Sequence, residues 1–523
     1  MMNARSTSMV VIDRIFAFLL FIAVCLFAAP GFAGETYYVS LQGRDSNPGT
    51  QDAPWGSLQH AIDVAGPGDT VLMRGGTYET DEVWIRGDRG MGGADGQYLT
   101  IKNYPGELVS VGGDRRIIVD GANFMRIEGL HFRLPYNVSG GGEAFQVVNN
   151  TFNGPQPKFG AIEFFSDNGL VQGNVIQITG GGNTQDHGIY LHAGHNNIVR
   201  NNVISGMSGY GIHVYDAVAS GGQWAAAGYN NITIEGNVIT GSRERAGIII
   251  YPDEIEAQNF KIQKNVIANN PINGIRIRGN THDIEIYNNT FYNNGWGAAN
   301  ADDQSAISLR DQEIRNVVVK NNIIEMSQSG AFHIQNREQS EGVVAERNLY
   351  WGQGSPQLRN VTDPSALYGD ALLKNPDNND FQILQASPAI DAGVNVGLPF
   401  KGSAPDLGAI EFGEQATSVG ETENQPSQFR LYQNYPNPFN PVTQIAYEVL
   451  TEGDISLSIY SLVGTRIRTL VEEKQGPGSY EVEWDGLDAL GQPAASGIYF
   501  YRLTISGSSS SFATKIMKMI LLN

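Results

Sequence analysis

The sequence predicts an all-β chain in which a parallel β-helix solenoid is followed by a small β-sandwich, and three observations carry that prediction. Glycine fills 63 of 523 positions, close to one in eight against a usual share of about one in fourteen, with no three-residue period. A short Asn-anchored pattern recurs every ~28 residues through the middle of the chain. Beyond a polar stretch after residue 412 that repeat is replaced by five short strand patterns at regular spacing. An apolar content of 41% is enough to bury a core, which excludes disorder of the whole chain.

Residues 1 to 33 read as an address. Arg14 precedes the apolar run Ile15 to Ala29, and Pro30-Gly31-Phe32-Ala33 places small residues before a cut at Gly34, the layout of a secretory signal peptide. The run is shorter than the ~20 residues needed to span a bilayer. Cys25 is the single Cys and lies inside this peptide. The mature chain is therefore expected to lack disulfides, thiolate metal sites and Cys nucleophiles. With 34 Lys and Arg against 54 Asp and Glu, the net charge of −20 excludes long-range attraction to nucleic acid or anionic membranes. The expectation is a secreted or outer-surface protein, exported through the periplasm and acting as a monomer.

The repeat is anchored at Asn150, Asn174, Asn202, Asn237, Asn265, Asn289, Asn322 and Asn348, in segments such as Gly-Asn-Val-Ile ending at Ile176 and Asn-Asn-Thr-Phe ending at Phe291. Between the anchors runs a second pattern, Gly188-Ile189-Tyr190-Leu191-His192, Gly211-Ile212-His213-Val214-Tyr215, Gly247-Ile248-Ile249-Ile250-Tyr251 and Gly274-Ile275-Arg276-Ile277-Arg278. Each repeat thus holds at least two period-two strands separated by Gly and Asn turns. A propeller blade needs about 40 to 45 residues, whereas the shorter period suits one coil of a parallel β-helix stacking at about 4.8 Å. The Asn residues fit the coil corners, where they tolerate left-handed backbone and can ladder from coil to coil.

Ser57 to Gly66 supplies an amphipathic helix to cap the N-terminal end, with Ser57 as N-cap and Leu58, Ile62 and Ala65 on one side. Coils are expected from Asp69 to Tyr78 onward, with Phe381 to Glu411 closing the far end. Gly413 to Phe429 has a linker composition. Ile445 to Val449, Ile455 to Tyr460, Ile467 to Val471, Tyr480 to Trp484 and Ile498 to Ile505 then read as a β-sandwich within 430 to 523.

Two stretches resemble known families. Tyr37-Tyr38-Val39-Ser40, Gly43, Asp45-Ser46-Asn47-Pro48-Gly49-Thr50, Pro67-Gly68-Asp69-Thr70-Val71 and Gly75-Gly76-Thr77-Tyr78 resemble the opening of secreted right-handed parallel β-helix proteins of the pectate-lyase-like superfamily. Polysaccharide lyase family nine shares that opening. The likeness spans Gly34 to Phe412 at the level of fold. Leu431-Tyr432-Gln433-Asn434-Tyr435-Pro436-Asn437-Pro438-Phe439-Asn440-Pro441 and Ala495-Ser496-Gly497-Ile498-Tyr499-Phe500 resemble the C-terminal sorting domain of type IX secretion cargo. The resemblances imply a right-handed parallel β-helix solenoid followed by a small immunoglobulin-like β-sandwich, with the type IX secretion machinery as a partner. Family-nine lyases carry a catalytic Lys on a strand face beside Asp-rich calcium ligands. No Lys occupies the outward positions here, and Asn300-Ala301-Asp302-Asp303 is the nearest acidic cluster, so calcium stays an open cofactor assignment and the fold carries over more safely than the chemistry.

Alternation assigns the outward side chains. One row reads Glu163, Tyr190, His213, Ile249, Arg276, Ser308, His333, and the next Phe165, His192, Tyr215, Tyr251, Arg278, Arg310, Gln335, with Asp186, His187 and Asp253 at the margins. Such a strip fits elimination from an acidic, uronate-containing polysaccharide. Arg276 with Arg278 and Arg310 would hold the carboxylate, His213 or His192 would be the base, and Tyr215 or Tyr190 the acid, with Tyr251, Glu163 and His187 as further substrate contacts. Hydrolysis would need two carboxylates about 5 to 9 Å apart, drawn from Glu163, Asp186, Asp216, Asp253, Asp302 and Asp303. C5 epimerisation shares the proton abstraction, and a glycan-binding or structural solenoid without turnover uses the same strip as a stacking face.

Overall fold

The computed structural model describes residues 34–522 except 81, 95, 114, 156–158, 181–183, 216–227, 254, 298–302, 327–330, 353–356, 415–428, 432, 433, 435, 438, 450, 451, 462–465 and 507–511. The expected signal peptide, most of the linker, Asp216, Asp302 and part of the first sorting motif lie outside the described residues.

Short strands separated by Gly and Asn corners wind into coils, and each full coil adds a strand to three parallel faces. The first coil opens with Thr36–Val39, which pairs in parallel with Thr70–Met73, one coil earlier than the repeat alone indicates. The Asn-anchored strands build a 12-stranded face running from Gly76–Glu79 to Leu367–Tyr368. The strands of the second pattern build another face, called here the site sheet. It includes Gly160–Phe165, His187–His195, Ile212–Tyr215, Ile248–Tyr251, Asn273–Ile277, Ser305–Leu309 and Phe332–Asn336. Ile162, Ile189, Ile212, Ile248, Ile275, Ile307 and Ile334 stand in register and are fully buried. Each such side chain contributes about 1.5–3 kcal/mol by burial, and their alternation with outward neighbours fixes which residues face solvent.

The corner asparagines divide their labour in a way that refines the sequence reading. The left-handed residue is the one before each anchor: Asn149, Gly173, Asn201, Gly236, Lys264, Asn288, Asn321 and Arg347 all have φ between 51° and 66°. The anchors themselves form a buried ladder. Asn237 donates from its backbone N to Asn265 Oδ1 (2.9 Å) and from Nδ2 to Asn265 Oδ1 (3.0 Å) and Val199 O (2.9 Å), and its neighbours repeat the pattern. The ladder ends on an acid: Asp363 accepts from Asn348 N and Nδ2, Arg347 N and Tyr350 OH.

The cap helix forms over Leu58–Val64, with Ser57 Oγ accepting from His60 N and with Leu58, Ala61 and Ile62 buried. Phe381 to Glu411 departs from its expected place. It does not stack on the last coil but lies against the Asn-anchored face, where Phe381 and Ala409 pack on Val266 and Ala268, and Ala389 and Leu407 pack on Ile323 and Leu349. Gly408 N donates to Asn321 O and Ala409 N to Thr290 Oγ1. This segment keeps apolar residues on the outside of that face away from water.

The C-terminal unit is a sandwich of a three-stranded and a four-stranded antiparallel sheet around Tyr447, Leu457, Trp484 and Tyr501. It contains the five expected strands plus Phe429–Leu431 and Phe512–Leu521. Among the described residues no helix is long and apolar enough to cross a membrane.

Candidate active site

The outward side chains of the site sheet meet in one row. Phe165 stacks on His192 (4.0 Å between ring centroids), His192 on Tyr190 (3.7 Å), Tyr190 on His213 (4.6 Å), and His213 on Tyr215 (5.4 Å). Tyr215 reaches Tyr251 at 5.7 Å, and the Arg278 guanidinium lies 4.5 Å over the Tyr251 ring. Six rings and one cation are therefore continuous across coils about 4.8 Å apart. The stack follows from register: Tyr190 pairs with His213, and Tyr215 with Tyr251. A bulge between Phe164 and Phe165 sets Phe165 opposite Ala193, and its ring meets His192.

The histidines sit where protonation is costly. Burial drives His187 and His192 down to about 3 and holds His213 well below the ordinary histidine value, with the other imidazoles and Arg245 adding to the effect at His213. His213 Nδ1 and His192 Nε2 are buried with no hydrogen-bond partner among the described residues, so Nε2 of His213 and Nδ1 of His192 are taken as the outward nitrogens. His187 lies beneath them, 3% exposed and 4.3 Å from His213, and its Nδ1 accepts from Tyr210 N. It supports the row from below, whereas the sequence places it as a substrate contact. Tyr210, passed over in the sequence, stacks on His187 and meets His213 at a tilt, 4.9 Å between centroids. Its signal was an aromatic residue two positions before the interior Ile212.

Glu163 is also a support. Its carboxylate is 5% exposed and accepts from Arg116, Asn137 Nδ2 (3.1 Å) and Ser139 Oγ (2.9 Å), while burial pushes its pKa up. Asp186 differs: one oxygen is buried without a partner, and burial raises its carboxyl to about 6.

The arginines are matched by carboxylates of the chain. Arg276 donates to Asp303 Oδ1 (2.9 Å) and to Asn273 Oδ1 (2.8 Å), and Arg310 pairs with the same Asp303 oxygen. Arg276, expected on the substrate, is thus largely buried and held by Asn273 of its own coil and Asp303 of the next. Asp303 is flanked by two guanidiniums, which balance its charge. Arg278 donates from Nε to Asp311 (3.3 Å) and is the more exposed cation, with no ion pair or hydrogen bond from its terminal nitrogens among the described residues. Among the described residues no group of three or more His, Asp or Glu could hold a metal ion.

The far end of the row corrects the expected alignment by two residues. Ser308 pairs with Gln335, not His333, and Arg337 N donates to Leu309 O, so the second row continues Arg278, Arg310, Arg337. His333 is buried instead, with Nδ1 accepting from Gln357 N. The misalignment preserves the period of two, so alternation could not expose it.

Residues 37–243 match the family model for Pel9A-like right-handed β-helix regions, and residues 219–349 match a general model for right-handed β-helix regions. The solenoid is a right-handed parallel β-helix, Pel9A-like over residues 37–243. This β-helix is 39% identical over 95 residues to pectate lyase PEL9 of Emericella nidulans, covering 18% of this chain and 22% of that protein. It is 40% identical over 83 residues to the uncharacterized protein YwoF of Bacillus subtilis (strain 168), covering 16% of each. The chain thus matches less than a quarter of the length of either curated relative. Among solved structures, pectate lyase Pel9A aligns over 72% of this chain and 96% of its own at 17% identity, with a TM-score of 0.39. The β-helix supplies an outward row able to stack on sugar faces, neutral imidazoles able to give or take a proton, and one guanidinium open to a carboxylate.

Proposed function

We propose that the protein is carbohydrate-active, binds a uronate-containing polysaccharide along the site sheet and cleaves it by β-elimination. The unbroken stack from Phe165 through His192, Tyr190, His213 and Tyr215 to Tyr251, ending under Arg278, carries this reading. In elimination the proton beside the carboxylate leaves carbon, the C–O bond to the next sugar breaks, a double bond forms in the ring, and the departing oxygen takes a proton. Arg278 would hold the carboxylate and favour the carbanion-like charge. His192, or His213 after its resident proton has moved from Nε2 to Nδ1, would receive the proton at its outward nitrogen, and Tyr215 or Tyr190 would supply one to the leaving oxygen. The pectate-lyase-like family match supports the same class. The test is ultraviolet absorbance of unsaturated uronates on alginate, pectate and glycosaminoglycans, expected to rise with the native chain and to vanish with His213→Ala. A folded protein giving no such signal overturns the lyase reading. Reducing ends without unsaturation would indicate hydrolysis, and inverted C5 configuration without cleavage would indicate epimerisation.

A second reading, glycan binding without turnover, is favoured by the depressed imidazoles, since a group protonated only near pH 3 is a weak base. It predicts retained affinity and no product with every polymer bound.

The C-terminal sandwich is proposed as a type IX sorting module that brings the protein to the cell surface or medium. Support comes from its two motif stretches and its separate core. Deleting residues 430 to 523 should trap the β-helix in the periplasm of a type IX-competent host. Undiminished export would overturn the assignment.

A further inference from the structure

The proposed site has a charge balance that constrains its polymer. Four arginines lie along the C-terminal half of the row, and four carboxylates lie against the same stretch. Asp303 takes Arg276 and Arg310, Asp311 takes Arg278, Glu338 takes Arg337, and Asp253 accepts from Tyr215 OH at 3.4 Å. The N-terminal half offers rings, its Arg116 is paired with buried Glu163, and Arg245 is a further cation acting on His187 and His213. A polymer with a carboxylate on every sugar would meet about one charge per coil, because coils repeat at about 4.8 Å, comparable with the advance of one sugar along an extended chain. Each of those carboxylates would either lie on an uncharged ring or compete with an existing ion pair. Neither exchange compensates the loss of hydration.

Among the four arginines of the C-terminal half, one guanidinium escapes this balance. Arg278 is 39% exposed at its side chain, against 13% for Arg276, 18% for Arg310 and 28% for Arg337. Asp311 Oδ2 is bound by Gly279 N at 2.7 Å and by only the Nε of Arg278, so the terminal pair of nitrogens remains for one bidentate carboxylate. The Tyr251 ring beneath holds the guanidinium in place.

Resting on the glycan reading above, we propose that the site selects a mixed polysaccharide in which isolated uronates are separated by neutral sugars. One uronate docks on Arg278, and uncharged rings lie on the stack from Tyr251 back to Phe165. A homopolymer of uronate is the disfavoured ligand.

Calorimetric titration of the full-length chain with gellan and glucuronoxylan, in which neutral sugars separate the uronates, is compared with their carboxyl-reduced forms, with polygalacturonate and with dextran. At least one of the two mixed polymers should bind tightest, with shallow salt dependence, and lose affinity about tenfold on carboxyl reduction, the size expected for one charge-assisted pair. Arg278→Gln should erase the difference between native and reduced polymer. The double variant Asp303→Asn, Asp311→Asn frees three guanidiniums and should gain affinity for polygalacturonate. Polygalacturonate binding tightest to the native chain, with steep salt dependence, overturns the inference and leaves the glycan reading standing. Failure of the folded protein to bind any polymer overturns the glycan reading itself.

Discussion

The ring of Tyr190 lies on the imidazole of His213 from the next coil, 4.6 Å between centroids and 18° from parallel. A parallel sheet without a register shift at this point makes that contact obligatory, and it joins the two halves of the stack.

Replacing Tyr190 with Ala should therefore lower glycan affinity about tenfold, as ring stacking of about 0.5–1.5 kcal/mol is lost together with buried area. Tyr190→Phe keeps the ring and should bind like the native protein while lowering turnover if the hydroxyl is the proton donor. Titration and product assay on the same samples separate the two effects.

The imidazoles make stability depend on pH with a definite sign. His187 and His192 fall from 6.5 to about 3 on folding, and His213 shifts in the same direction. Between those values only the unfolded chain takes the proton, so the stabilisation is complete above pH 6.5 and is lost as pH falls toward 3. Asp186 acts oppositely: raised from 3.8 to about 6, it favours the folded state at low pH and loses that contribution as pH rises through about 6. It offsets one histidine within its window. Denaturant midpoints should fall on acidification, by about 1.4 kcal/mol per pH unit for each uncompensated histidine, and His192→Gln should flatten the slope. A midpoint independent of pH between about 7 and about 4 would contradict this placement of the histidines.

His213 should be the Nε2–H tautomer in the free protein. Its Nδ1 is buried without a partner, and an orphaned buried N–H is costlier than an orphaned acceptor. Nitrogen-detected NMR of histidine-labelled protein reads this directly. A protonated Nδ1 would be the contrary result, and would leave Nε2 ready to act as base without a tautomer change.

Arg276 and Arg278 should separate structure from binding. Arg276→Ala strands Asp303 beside Arg310 alone and should lower stability by about 1–3 kcal/mol, below the loss for a fully buried pair because Asp303 is partly solvated. Arg278→Ala should leave the unfolding midpoint nearly unchanged and weaken polymer binding. The reverse pattern in thermal melts and titrations would exchange their roles.

Removing one ladder anchor tests what holds the coils in register. Asn237→Ala takes away the acceptor of Asn202 N and Nδ2 and the donor to Val199 O, all buried. A loss of about 2–4 kcal/mol is expected, read by chemical denaturation, whereas Asn259→Gly, at an exposed left-handed position that Gly adopts freely, should cost under about 1 kcal/mol.

Much of the site row was legible because period-two alternation needs no tertiary information. Ile189, Ile212, Ile248 and Ile275 mark the interior, and Tyr190, His213, Ile249 and Arg276 follow as their outward neighbours. Legibility ended at His333, where Ala331-Phe332-His333-Ile334-Gln335 imitates the earlier strands two residues out of register. Only the pairing of Ile307 with Ile334 resolves it.

The sequence alone determined the solenoid, its coil length, the cap helix and the chemical character of the outward strip, because each is a local periodicity or a local residue choice. The tertiary structure decided which of those residues reach solvent and with what charge. Glu163 and His187 are buried by neighbouring coils, Arg276 and Arg310 converge on one oxygen of Asp303, and Phe381 to Glu411 lies along a face of the solenoid rather than across its end. Burial and ion pairing depend on chain segments tens of residues apart, and no short-range pattern encodes their distance.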